Sequence, residues 1–324
     1  MAHPTRRILL WMARSEWLRG RVPRLPFARR AVRRFMPGET LADALVAARA
    51  LADQGQGIVF TRLGENLRDI SEADAVAAHY HGLLDESVAV GLVPEISVKL
   101  TQLGLDIDPD VTLRHCLALA EHADRVGSSL WLDMEASGYV DATLDLYTRI
   151  LAAHPRTGIC LQAYLRRSAA DVVRLLPLHP SIRLVKGAYD EPVSVAFRSK
   201  VEIDASFQSL ALLIAATAMT DGAEATADGA SSTAGGGTRL IVGTHDSALV
   251  ERIAAFGAAT GIPRSVFAVA MLYGIRVREA SRLAALGYPV RTLIAYGEFW
   301  YPWYMRRLAE RPANVLFALR QVLP

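Results

Sequence analysis

Residues Gly158 to Gly187 read GICLQAYLRRSAADVVRLLPLHPSIRLVKG. Two short apolar runs, Gly158–Leu161 and Ile182–Val185, flank a segment, Ala169–Leu176, whose apolar residues recur at helical spacing. The runs are rich in Ile, Leu and Val, the composition of strands buried on both faces. Strand, helix and strand within about 30 residues make one βαβ unit. The alternation continues in both directions. Further strands are predicted at Gly57–Thr61, Glu95–Lys99, Leu130–Met134, Arg239–Gly243, Val266–Ala270 and Val290–Ile294. Helices are predicted at Glu72–Val90, Val111–Gly127, Asp141–Ala153, Val193–Met219, Ala248–Thr260 and Val277–Leu286. This pattern specifies an α/β protein, a (β/α)₈ TIM-type barrel closed by parallel strands. An open doubly wound sheet would want a Gly-rich turn after its first strand; here Arg62-Leu63-Gly64-Glu65 follows, and no GxGxxG is present.

The chain divides into a basic, partly helical N-terminal arm (1–45) and a barrel (46–324). A Gly/Ser/Ala-rich stretch at about 221–238 reads as a flexible insertion before the sixth strand. Tyr301 to Val322 supplies a C-terminal helix, beginning at Arg306-Arg307, whose start lies over the barrel mouth.

The net charge of +3 hides an asymmetry: residues 1–40 hold ten Arg against Glu16 and Glu39. Such an arm is expected to pack on the domain, with contact to anionic lipid as an alternative and nucleic acid not expected. The apolar stretch from Ile8 is too short for a signal sequence or a membrane span. Two cysteines, Cys116 and Cys160, exclude a disulfide scaffold and favour a reduced, cytoplasmic setting.

Barrel enzymes carry their chemistry at the C-terminal ends of the strands. Those ends here hold Glu65, Lys99, Asp133 with Glu135, Gln162 with Tyr164, Lys186 with Tyr189, Thr244-His245-Asp246, Leu272 and, after the eighth strand, Arg306-Arg307; Arg183 lies within the fifth. Lysine is scarce, with only Lys99, Lys186 and Lys200 in the chain. The mouth is cationic with an apolar wall, which suits an anionic ligand. His245-Asp246 has no partner at metal-ligand spacing, and no Ser or Cys nucleophile signature stands out. Redox chemistry on an organic cofactor fits this set. The plainer alternative makes Asp133 and Glu135 ion-pair partners of Lys99 and His245 a capping or core residue; the aromatics at 299–304 are expected to pack under the last helix rather than to stack on a cofactor.

Several of these motifs resemble the proline dehydrogenase family, and in the family's order: Leu63-Gly64-Glu65, Ile96-Ser97-Val98-Lys99-Leu100, Leu132-Asp133-Met134-Glu135, Leu161-Gln162-Ala163-Tyr164, Arg183-Leu184-Val185-Lys186-Gly187-Ala188-Tyr189, Lys200-Val201-Glu202-Ile203-Asp204, Gly243-Thr244-His245-Asp246, Met271-Leu272-Tyr273-Gly274 and the block Arg306 to Asn314. The resemblance implies FAD, oxidation of L-proline to pyrroline-5-carboxylate, electron transfer to a membrane quinone, and peripheral contact at the inner membrane face. It implies that Arg306, Arg307 and Lys99 hold the substrate carboxylate, and that Tyr189 and Leu272 pack on its ring. Asp133 would sit near the amine, Arg183 at the hydride-accepting flavin nitrogen and Gln162 on the ring carbonyls. Lys186, Thr244 and His245 would serve the rest of FAD, and Glu65 would close over Arg306 as a gate.

Three positions depart from the family pattern: Ala268-Val269-Ala270 stands where a Gln is usual, Leu293 where a Tyr packs on the ring, and Trp303 where a Tyr precedes the Arg pair. These changes predict altered ring specificity, such as for hydroxyproline or a methylproline. A flavin-free barrel with a binding or regulatory role is the alternative from another class.

Overall fold

The computed structural model describes residues 8–9, 11–13, 15–64, 67, 69–222 and 237–310, less the side chains of Phe27 and Glu310. Eight parallel strands close into a barrel in sequence order. They are β1 (Gly57–Arg62), β2 (Glu95–Val98), β3 (Leu130–Leu132), β4 (Gly158–Gln162), β5 (Ser181–Val185), β6 (Arg239–Gly243), β7 (Phe267–Leu272) and β8 (Val290–Tyr296). The ring closes where Gly57 to Arg62 of β1 pairs in register with Arg291 to Tyr296 of β8.

Alternation along the strands builds two cores. One set of side chains, including Phe60, Val98, Leu132, Ile159, Leu184 and Val242, points outward into the helix layer and meets Tyr80, Leu119, Tyr147, Leu175, Phe207 and Ile253. Each such side chain contributes roughly 1.5–3 kcal/mol when fully buried. The other set fills the barrel, where Trp131, Ile241, Ala268 and Ala270 form a separate cluster. Gly158 is part of that packing, since a Cβ there would lie 2.4 Å from the Trp131 ring.

Sequence signals set the helix starts. Asp69 caps Ile70–Ala89, Asp108 with Pro109 caps Pro109–Arg125, and Asp246 caps Ser247–Ala259. The helix predicted to start at Val193 starts at Lys200 instead, because Ser199 and Glu202 form a capping box that ends the preceding loop. That helix, Lys200–Thr220, is long and apolar enough to cross a membrane by length and composition. Its place is in the barrel's outer layer, with Phe207, Leu210, Ala211 and Ile214 buried. The 221–238 insertion falls, for the most part, outside the described residues.

The C-terminal helix begins at Trp300, six residues before the expected Arg306. Its first turns absorb the aromatic cluster: Trp300, Tyr301, Trp303 and Tyr304 are buried with Ala28, Val32, Phe35 and Met36 of the arm. Trp300 donates to Glu39 at 2.9 Å and Tyr301 to the Met12 carbonyl at 3.3 Å. Leu63 and Ala295, at the ends of β1 and β8, join the same cluster, so this helix lies across that side of the mouth. The short arm helices Glu16–Arg21 and Pro26–Val32 therefore buttress the helix that bears the Arg pair.

Candidate active site

The mouth is organised around Arg183. This residue is on β5, yet its Nη2 donates to Ser97 Oγ of β2 at 2.9 Å and also contacts Asp133 just past β3. Ser97 Oγ donates in turn to Asp133 Oδ1 at 2.8 Å. These strands are not neighbours of β5, so the contacts run through the barrel interior. Both bonds to Asp133 use Oδ1, leaving Oδ2 uncommitted among the described residues. The Arg183 guanidinium also lies 5.4 Å from the centre of the Trp131 indole. Burial, which would lower the pKa of Arg183, is outweighed by Asp133 and Cys160, and the guanidinium is held above its usual range.

The alternative pairing of Lys99 with Asp133 or Glu135 is not formed among the described residues. Asp133 belongs to Arg183, while Glu135 accepts from the Thr101 backbone at 3.1 Å and from its hydroxyl at 2.6 Å, pinning the turn after β2. Lys99 is buried at the end of β2 and makes no ion pair with a described carboxylate.

Arg183 Nη1 and Gln162 Oε1 are buried here with no hydrogen-bond partner among the described residues. Gln162 ends β4 and donates its other amide group to the Met134 carbonyl at 3.3 Å. Leaving such atoms unsatisfied costs about 1–3 kcal/mol each. A spare donor within β5 and a spare acceptor at the end of the adjacent β4 can both engage a polar ligand.

On the far side of the mouth, Lys186 Nζ reaches Asp204 at 2.5 Å and Asp246 at 3.1 Å. Lys200 shares both carboxylates, lying 3.2 Å from Asp246. Burial raises the Asp246 carboxyl, but Lys186 and Lys200 outweigh it and hold the pKa at about 2. Asp204 and Asp246 were not assigned roles from sequence; two of only three lysines flanking them was the available signal. Thr244 is buried and accepts from the Asp246 backbone at 3.2 Å. The His245 Nε2 accepts from the Leu272 backbone at 3.4 Å. Gly187 has φ +112, and a Cβ there would strike the Tyr164 ring at 2.1 Å, so the turn carrying Lys186 and Tyr189 needs glycine.

Leu272 and Leu293 are register partners on β7 and β8, half-buried side by side. Leu293 packs on the cluster that contains Trp303, so two of the three departures share one apolar wall. Ala270 lies inside the barrel beside Trp131. Arg306 and Arg307 are half-buried on the C-terminal helix, and Tyr189 is half-buried in the loop after β5. Glu65 lies outside the described residues.

The proline dehydrogenase family profile matches residues 44–320. The chain belongs to the proline dehydrogenase family. It is similar to proline dehydrogenase 1 of Bacillus subtilis subsp. natto, with 34% identity over 295 residues that span 91% of each chain. The Deinococcus radiodurans proline dehydrogenase is 32% identical over 295 residues, 90% of this chain and 89% of that protein. Among solved structures, proline utilization A of Bdellovibrio bacteriovorus, inactivated by N-propargylglycine, superposes with a TM-score of 0.74 at 21% identity. The match covers 87% of this chain and 32% of that one, so the chain spans about a third of that larger protein. As a proline dehydrogenase family member, the chain is an oxidoreductase whose general activity is proline oxidation.

Proposed function

We propose that this chain oxidises L-proline, or a closely related cyclic imino acid, to pyrroline-5-carboxylate with FAD held at the C-terminal mouth of the barrel. The observation that carries the reading is the buried pair of unsatisfied atoms, Arg183 Nη1 and Gln162 Oε1. An isoalloxazine edge offers acceptor nitrogens and carbonyls beside an N–H, and so satisfies a donor and an acceptor at once. When bound, FAD supplies a two-electron acceptor for the hydrogen leaving the ring carbon next to nitrogen. Lys186, Thr244 and His245 serve the remainder of the dinucleotide, with Asp204 and Asp246 holding Lys186 in place.

The protein's own groups position the substrate. Arg306, Arg307 and Lys99 grip the carboxylate, the arginines through their planar forks. Asp133, anchored through Oδ1, offers Oδ2 to the substrate nitrogen. Tyr189 and Leu272 pack on the ring, and Glu65 closes over Arg306 as a gate. The apolar wall of Leu272 and Leu293 favours tolerance of a ring substituent, since a hydroxyl-bearing side chain has been exchanged for a hydrocarbon one.

Quinone is the electron acceptor in this reading, and the arm meets the inner face of the cytoplasmic membrane peripherally. In support, Trp11 and Trp17 are 65% and 62% exposed beside Arg19, Arg21, Arg24 and Arg30, while Leu18 and Val22 face the body of the protein. A substrate panel and vesicle sedimentation test these points. Steady preference for unsubstituted proline would remove the altered specificity, and failure to sediment with anionic vesicles would remove the membrane contact. A protein that takes up no FAD would support the flavin-free binding role instead.

A further inference from the structure

Barrel interiors of this kind are usually filled by branched apolar side chains. This one is not. Glu95, the first residue of β2, accepts from Arg239 of β6 at 2.9 Å and from Arg291 of β8 at 3.2 Å. Strands β2 and β6 are not neighbours, so these groups meet through the interior. The Arg239 guanidinium lies 5.6 Å from the Trp131 indole centre, and the same indole carries Arg183 at 5.4 Å. A continuous charged column thus runs from Arg291 through Glu95, Arg239 and Trp131 to Arg183 and Asp133. Among the described residues, Glu95 pairs with Arg239 and Arg291, and Asp133 with Arg183. Glu95 and Arg291 are 3% and 2% exposed, and Arg183 is 4% exposed. Arg291 stands two residues before Leu293 on β8, and Glu95 two before Ser97 on β2, so alternation puts both directly beneath the mouth.

Buried guanidiniums act on any charge that develops within the same interior. With FAD bound at the mouth, the C–H bond of the substrate carbon would break, its electron pair and hydrogen would pass to the flavin, and a neutral ring would become an anion. The nitrogen proton leaves the substrate to complete the imine. In a dry interior the field of buried arginines is only weakly screened.

We propose that the Glu95–Arg239–Arg291 cluster is an electrostatic floor that sets the reduction potential of the bound flavin by stabilising its reduced, anionic form. The inference rests on the FAD reading above. These three are positioning residues that act by charge from below, without touching substrate.

The test uses FAD-loaded protein and reads the midpoint potential of the bound flavin by dye equilibration. Arg291→Met, which removes a positive charge, lowers the potential, equivalent to at least a tenfold loss in relative affinity for reduced over oxidised FAD, about 30 mV for a two-electron couple. Glu95→Gln, which removes a negative charge, raises it by a similar factor. Arg291→Lys keeps the charge and leaves the potential near wild type, which holds the test open if one of the other variants fails to fold. Packing damage would move Arg291→Met and Glu95→Gln in the same direction; only charge moves them oppositely. Unshifted potentials, or shifts of one sign, overturn the inference while leaving the flavin site intact. A wild-type chain that binds no FAD overturns the site reading, and this inference with it.

Discussion

Arg183 on β5 reaches Asp133, just past β3, across the interior of the barrel, and Ser97 bonds to both. The pair ties three strand ends into one unit at the mouth. Removing one partner leaves the other charge buried without its counterion, so Asp133→Asn should destabilise the fold by about 3 kcal/mol. Denaturant unfolding measures this. The double variant Asp133→Asn/Arg183→Met should recover part of the loss, and strict additivity would show that the two do not act as a unit.

Gly158 and Trp131 form a second interior relationship. A Cβ at position 158 would lie 2.4 Å from the indole, well inside contact distance. Gly158→Ala should cost about 1–3 kcal/mol through overpacking. Combining it with Trp131→Leu, which vacates the space, should cost less than the sum of the two single changes. An unaltered unfolding midpoint for Gly158→Ala would mean that the indole moves aside freely.

His79 predicts a pH dependence of stability. Its Nε2 lies 2.6 Å from the Tyr296 hydroxyl, and burial, aided by Arg62, lowers its pKa from 6.5 to about 4. The native state therefore binds fewer protons than the unfolded state between those values. Stability must fall as pH drops from 6.5 toward 4. His79→Gln, which cannot titrate, should flatten that part of the profile, as urea midpoints at pH 7 and pH 5 would reveal. An identical pH slope in the variant would assign the effect to other groups.

Arg306 and Arg307 test the carboxylate grip. Lysine keeps the charge but loses the fork, and a charged hydrogen bond is worth about 1.5–3 kcal/mol. Arg306→Lys and Arg307→Lys should each raise KM for proline roughly 10- to 100-fold, with the smaller effect on kcat. Steady-state kinetics that show a fall in kcat at unchanged KM would place these residues elsewhere in the reaction.

Much of this was legible along the chain. β6 occupies the predicted Arg239–Gly243, and the other strands lie within a few residues of their predicted ends, because strands buried on both faces leave unbroken apolar runs. Helix ends were less legible where a capping signal was passed over: Ser199 and Glu202 spell a capping box, yet apolar spacing alone carried the helix back to Val193. Asp133 and Arg183 were individually visible as charged residues on strands, but their pairing was not. Partners 50 positions apart meet only when the barrel closes. The same holds for Glu95, Arg239 and Arg291, each unremarkable in its own strand. The Arg-rich arm was read as packing on the domain; its partner, the aromatic start of the last helix, emerged only from the fold.

The most direct test of the central claim is the visible spectrum of the purified, FAD-supplied protein before and after anaerobic addition of L-proline. The account predicts a bound flavin whose absorbance bleaches on addition, and slower or absent bleaching in Asp133→Asn and Arg306→Lys. A protein that stays colourless, or a bound flavin that neither proline nor any substituted proline bleaches, would contradict it.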